Sequence, residues 1–313
     1  MGNLAELVPK DRLPVYVGAG VVKEKTQIEH LAPEETIGAL VLGSYTQNEH
    51  AGNDADGHYN VFWWDKEQEA AYNSIGLRNP GSKNASGFLP EAIKVMEAAG
   101  QLAIISVTTL KGEDPKVVLP EMAEWALEMG AQAVEFNGSC PNLDPQHPLL
   151  CYDVDEMLGV VVAVRQRVGY APVLGVKVSD LPYDTVEDYI GMDLDFYDVI
   201  NTKGNQPSPI NPATGRPAIE VNEGLAGQSG PIIHGLAREN LLKWKDILRR
   251  HQRDKIDILS IGGVDDGYEV YDRIHNMGAL MVGGAQEFYR AKDPREVAQR
   301  WALQYAERLD LIA

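Results

Sequence analysis

The chain has 313 residues, 44% of them hydrophobic and 24% charged, a balance that supports a large buried core. Its formal net charge of −18 at pH 7 excludes nucleic acid and anionic membrane surfaces as main partners, because both would repel it. No apolar run approaches the roughly 20 residues of a membrane span, the first residues lack a secretory pattern, and two cysteines point to reduced thiols in a cytoplasmic setting rather than a disulfide framework.

Leu13-Pro14-Val15-Tyr16-Val17 reads as a first buried strand ending at Gly18-Ala19-Gly20, where small residues either admit a ligand close to the backbone or make a tight turn. A helical stretch over 27–35 leads to a second strand, Ala39-Leu40-Val41-Leu42, which ends at Gly43-Ser44. The segment 45–87 is rich in Asn, Gly and Asp. Irregular segments this long are usually functional or disordered. Its aromatics Tyr59, Phe62, Trp63, Trp64 and Tyr72 favour order, so a lid or hairpin covering a site is expected there.

From Phe88 onward the pattern is regular. Helices are expected over 90–99, 117–129, 153–168, 185–192, 236–250, 267–276 and 294–309, and strands over 102–107, 134–136, 173–178, 197–200, 256–261 and 280–282. A second long loop follows the sixth strand, over 203–235. Eight apolar strands separated mostly by helices imply parallel βαβ units and a single (β/α)8 TIM barrel over 1–313, with 45–87 as an insertion after strand two. An open doubly wound sheet is the alternative, but no Gly-x-Gly-x-x-Gly run follows the first strand.

A barrel builds its site at the C-terminal ends of its strands. Those ends offer Gly18-Ala19-Gly20, Gly43-Ser44, Ser106, the loop Asn137-Gly138-Ser139-Cys140-Pro141-Asn142, Lys177, Asn201-Thr202, Gly262-Gly263 and Gly283-Gly284. The Asn137 loop is either an ordinary turn or a site that offers neutral hydrogen bonds, a thiol and a rigid proline. The glycine pairs follow strands seven and eight, where barrels bind phosphate through backbone N–H groups, although plain turns use glycine too. Lys177 has three readings: a Schiff-base lysine, a partner for an anionic or electron-rich ligand, or a neighbour of a carboxylate. Cys140, His147 and Cys151 match no common zinc spacing, and no metal is expected.

Taken together, these segments resemble a known family. Val134-Glu135-Phe136-Asn137-Gly138-Ser139-Cys140-Pro141-Asn142 is similar to the active-site loop of class 1 dihydroorotate dehydrogenases, Asn-Leu-Ser-Cys-Pro-Asn. Asn73-Ser74-Ile75-Gly76-Leu77-Arg78-Asn79-Pro80 resembles their substrate segment, Asn-Ser-Met-Gly-Leu-x-Asn. Leu174-Gly175-Val176-Lys177, Ile200-Asn201-Thr202, Gly227-Gln228-Ser229-Gly230-Pro231, Ile261-Gly262-Gly263 and Val282-Gly283-Gly284 match further family segments in the same order. The resemblance implies an FMN-containing barrel that oxidises dihydroorotate to orotate in pyrimidine biosynthesis. It makes Cys140 the base at C5, with Ser139 beside it in the catalytic loop, and sends the C6 hydride to flavin N5. It assigns substrate binding to Asn73, Ile75, Gly76, Leu77, Asn137, Asn142, Asn201 and Thr202. It assigns FMN binding to Ala19, Gly20, Ser44, Asn137, Lys177, Ile200, Gly230, Gly262, Gly263, Gly283 and Gly284, with Lys177 favouring an anionic reduced flavin. The partners it implies are a small pyrimidine and a second copy of the chain in a homodimer. NAD-using members also need an iron–sulfur subunit, and no cysteine cluster in this chain could hold such a centre.

Three features depart from the family pattern. Leu42-Gly43-Ser44 stands where the family usually has Thr-Lys-Ser, with a lysine that contacts flavin and orotate. Gly138 replaces an apolar residue, and 45–72 is unusual in length and aromatic content. The alternatives they keep open are an FMN-binding relative that acts on another dihydropyrimidine, or is inactive with dihydroorotate, and a Schiff-base lyase built on Lys177.

Overall fold

Short runs of Val, Ile and Leu, buried on both faces, make the parallel strands, as expected when helices cover a sheet from outside. The computed structural model describes residues 3–140 and 149–311. In chain order the strands are β1 (Val15–Val22), β2 (Ala39–Tyr45), β3 (Phe62–Asp65), β4 (Ala70–Asn73), β5 (Leu102–Val107), β6 (Ala133–Asn137), β7 (Val173–Val178) and β8 (Phe196–Val199). They continue with β9 (Lys203–Pro207), β10 (Ile210–Asn211), β11 (Arg216–Pro217), β12 (Leu225–Ser229), β13 (Asp257–Ile261) and β14 (Met281–Gly284). Eight of them close a barrel in the order β1-β14-β13-β8-β7-β6-β5-β2. These are the eight strands read from the sequence, each within a few residues of its expected place except β1, which runs on to Val22.

The outer helices start where the sequence provides caps. Asp114, Asp153, Asp266 and Asp293 each accept a first-turn backbone N–H and open the helices Pro115–Glu128, Val154–Val168, Gly267–His275 and Pro294–Asp310. The helix expected over 27–35 starts earlier and is shorter, Lys25–Leu31, because Glu24 and Gln27 form a capping box. Inside the barrel, Tyr16, Val41, Ile104, Phe196, Leu259 and Met281 belong to the apolar filling. Glycine makes room for the largest of these. A Cβ on Gly175 would lie 2.5 Å from the Phe196 ring, and one on Gly283 would lie 2.3 Å from the Tyr16 ring.

Both long connections are ordered, and they meet. The insertion folds into the hairpin β3–β4, as its aromatics led one to expect. The 203–235 segment is not a loop: it contributes β9 and β12, giving a four-stranded antiparallel sheet β3-β4-β12-β9. Lys203-Gly204-Asn205-Gln206-Pro207 lacks apolar alternation, so pairing with β12 rather than periodicity makes it a strand. A small cluster of Ala70, Tyr72, Ile219 and Ala226 anchors the sheet, and Gln228 Nε2 donates to the Tyr72 hydroxyl at 2.8 Å. Among the described residues no helix is long and apolar enough to cross a membrane.

Candidate active site

The strand ends and the added sheet enclose one cavity of about 1130 Å³, part of it open to solvent. Phe62, Asn73 and Ser229 reach it from the sheet, and the rest of its wall comes from the barrel rim and the adjoining loops. On one side β1 bulges. Val17 pairs with Leu40 and Val22 with Leu42, so residues 18–21 stand against Val41 alone. That bulge pushes Ala19, Gly20 and Val21 into the cavity wall.

The loop after β6 is fixed by a hydrogen-bond network. Asn137 Nδ2 donates to Ser44 Oγ at 2.9 Å, and Ser44 Oγ lies 2.8 Å from Ser106 Oγ. Asn201 Nδ2 donates to Ser139 O at 3.1 Å and to Ser139 Oγ at 3.0 Å. Ser139 is buried behind the cavity wall, not in it, and its hydroxyl donates to Lys177 O at 3.0 Å. It therefore ties the Cys140 loop to β7. Cys140 itself is half-exposed and lines the cavity with Asn73, Ile75, Gly76, Leu77, Asn137, Asn201 and Thr202. Asn142 and His147 lie outside the described residues. Cys151 is buried in the core, and burial pushes its thiol up to about 12, so it packs as an apolar residue.

Gly138, where an apolar residue was expected, is explained by packing. A Cβ there would lie 3.0 Å from Met157 Cε and 3.4 Å from Cys151 Cβ. At the cavity wall, Lys177 Nζ lies 3.0 Å from Asp198 Oδ2, and the Tyr16 hydroxyl donates to the other oxygen of that carboxylate. Burial works against the charge on Lys177, but Asp198 and then Glu135 outweigh it and hold its pKa above the ordinary value. A Schiff-base lysine needs the opposite, a depressed pKa. Glu135 is fully buried beside the pair; burial and then the Asp198 charge raise its pKa, and Lys177 only partly offsets them. Burial and the neighbouring carboxylate therefore favour the protonated form of Glu135.

At the far end Ala19, Gly20, Ser44, Lys177, Ile200, Gly230, Gly262, Gly263, Gly283 and Gly284 all line the same cavity. The expected reason for the last two glycines changes, however. The space a Gly283 side chain would need is filled by Tyr16, and that of Gly284 by Trp301 and Phe288. Their backbones face the cavity, while their missing side chains serve the core. Only at Gly20 would a Cβ meet nothing within 4 Å among these cavity glycines. Phe62, expected in a lid or hairpin over a site, lines the cavity, while sequence reading missed Tyr289, Gln286 and, above all, Lys23, which also line it. Lys23 directly follows β1, and ending that strand at Val17 hid it from the list of strand ends.

The family model described as dihydroorotate dehydrogenase matches residues 10–298. The catalytic subunit of dihydroorotate dehydrogenase B (NAD(+)) from Endomicrobium trichonymphae is 26% identical over 263 residues, covering 83% of this chain and 78% of that protein. Dihydroorotate dehydrogenase (quinone) from Pseudarthrobacter chlorophenolicus is 25% identical over 293 residues, covering 88% and 77%. A putative dihydroorotate dehydrogenase A (fumarate) from Aeropyrum pernix is 26% identical over 216 residues, covering 68% and 64%. The crystal structure of dihydroorotate dehydrogenase from Eimeria tenella in complex with ferulenol shares the fold, with a TM-score of 0.75, 17% identity, and coverage of 96% of this chain and 82% of that one.

Proposed function

The chain belongs to the dihydroorotate dehydrogenase family, and from that premise we propose that it oxidises dihydroorotate to orotate with FMN as cofactor and Cys140 as base. The observation that carries the proposal is convergence: Cys140, Asn73, Asn137 and Asn201 share one cavity with Lys177 and a glycine-rich far end. The wall also fits FMN by its chemistry. Ile200, Ile233, Ile261 and Val264 offer an apolar slot for a flat ring, and backbone at Gly262, Gly263, Gly283 and Gly284 offers N–H donors without a basic patch. Lys177, kept protonated by Asp198, would face the pyrimidine edge of that ring. Bound there, FMN supplies a two-electron acceptor that no side chain can provide.

The remaining chemistry belongs to the chain. Thiols titrate near pH 8.5, so a few per cent of such a group is thiolate near neutral pH, and that thiolate, held against a substrate C–H, takes the proton and becomes the thiol. Asn73, Asn137 and Asn201 are neutral donors and acceptors, suited to the imide edge of a pyrimidine without charge repulsion. Ser139 would position rather than react, since its hydroxyl is spent on Lys177 O. The antiparallel sheet would roof the cavity and limit water. A cytoplasmic homodimer is part of the same proposal.

Purified protein should be yellow or become so with FMN, and dihydroorotate should bleach it anaerobically. Cys140→Ser should slow that bleaching by about 10² or more while leaving FMN affinity unchanged. Protein that stays colourless with FMN would refute the assignment. The relatives' names divide among NAD(+), fumarate and quinone, so reoxidation of the bleached protein by each identifies the acceptor.

A further inference from the structure

Gly43 occupies a place where no side chain fits. Its φ is +113°, and a Cβ on it would lie 2.5 Å from Ser106 O, 2.8 Å from Tyr45 N and 3.0 Å from Tyr45 Cδ2. The Tyr45 ring fills part of this space, and its hydroxyl reaches across to donate to Lys23 O at 3.0 Å. The last pair of the β1–β2 ladder is Val22 with Leu42, so Lys23 and Gly43 each directly follow that pair at the rim.

The Lys23 side chain turns into the cavity, near Cys140 and the substrate-segment asparagine Asn73. Its ammonium donates to the carbonyl of Arg78 at 2.7 Å, and among the described residues it makes no ion pair. The described cavity wall contains two lysines and not one Asp or Glu, in a chain with 46 acidic and 28 basic residues. A half-buried cation hydrogen-bonded to a neutral carbonyl, with the Cys140 thiol and Glu24 acting on it through space, in a wall cleared of acids, is suited to an anionic group on the ligand. Lys177 has Asp198 as its partner; Lys23 has none of that kind.

We propose that Lys23 binds the carboxylate of the pyrimidine substrate, supplying from the end of β1 the cation that Gly43 removes from β2. The inference rests on the dihydropyrimidine reading above and adds the residue that selects a carboxylate-bearing ring. Burial lowers the pKa of Lys23 to about 8, so the amine remains mostly an ammonium at neutral pH. Tyr45 fixes the backbone from which the side chain extends.

The test compares FMN-loaded wild type with Lys23→Met and Lys23→Gln, titrated with orotate and with uracil, the same ring without the carboxylate. Both variants should bind orotate roughly 10- to 100-fold more weakly, the loss expected for one charge-assisted contact, with uracil affinity within about twofold of wild type. The KM for dihydroorotate should rise in parallel. Unchanged orotate affinity in FMN-loaded variants, or an equal loss for orotate and uracil, overturns the role of Lys23 while leaving the oxidoreductase reading intact. Wild type that binds FMN but is neither bleached by dihydroorotate nor bound by orotate overturns the substrate reading itself, and Lys23's role with it.

Discussion

Restoring a lysine at position 43 is the obvious way to make this chain more like its relatives, and the backbone forbids it. The left-handed φ of +113° is strained for any side chain, and the Cβ would meet a carbonyl oxygen and a backbone nitrogen, neither of which can swing away. Gly43→Lys should therefore cost about 2–4 kcal/mol and lower Tm by roughly 5–10 °C. Gly43→Ala should cost a similar amount, since the Cβ is the cause and the charge is not. Thermal melts of the two FMN-loaded variants check this. A Gly43→Lys protein as stable as wild type would mean that the strand end re-forms around the new side chain. Cys151 shows the same logic in reverse: a thiol near Cys140 in sequence is packed in the core and serves structure.

Elements differ in how plainly the sequence announces them. The eight barrel strands were legible because strands covered on both faces must be apolar along their length. The hairpin β3–β4 was legible through its aromatics. β9 and β12 were not, because they are held by pairing to each other and to β4, and polar residues serve that purpose as well as apolar ones. Lys23 stayed hidden because the bulge extends β1 past the glycines that looked like its end. Ser139 was legible as part of the loop but not as a buried tie, since nothing in Gly-Ser-Cys says which side chain turns inward. The loop also shows how one element constrains another. Gly138 is fitted to Met157 on the helix Val154–Val168, at 3.0 Å from where its Cβ would be. Gly138→Leu, which restores the apolar residue common in the family, should destabilise by about 1–3 kcal/mol through overpacking. Adding Met157→Ala should return part of that loss. A denaturant-unfolding double-mutant cycle measures the coupling, and strict additivity would show that the two residues do not compete for space.

On the scale of the whole molecule, the question is how a chain of net charge −18 keeps a cavity fit for an anion. The described wall excludes carboxylates, and in the buried cluster below it Lys177 pairs with Asp198 while burial and Asp198 push the Glu135 pKa up, toward its neutral form. Were Glu135 ionised, the floor would carry a net negative charge just below the ligand. The cost of this arrangement appears as a pH dependence of stability. In the unfolded chain Glu135 ionises near its ordinary pKa of about 4.3, whereas in the fold burial and Asp198 raise that pKa. Between the two values the unfolded state binds fewer protons, so stability falls as pH rises through that window and levels off above the folded pKa. Glu135→Gln keeps the shape and removes the titration. Its stability relative to wild type should therefore be lowest near pH 4 and improve as pH rises, by at most about 1.4 kcal/mol per pH unit. Repulsion among the surface acids acts on both proteins alike and cancels in the comparison. Unfolding free energies of the two proteins from pH 4 to 9 test this. Parallel curves would show that Glu135 is ionised in the folded barrel and shares Lys177 with Asp198, which would place a negative floor beneath the cavity and weaken the case for an anionic ligand above it.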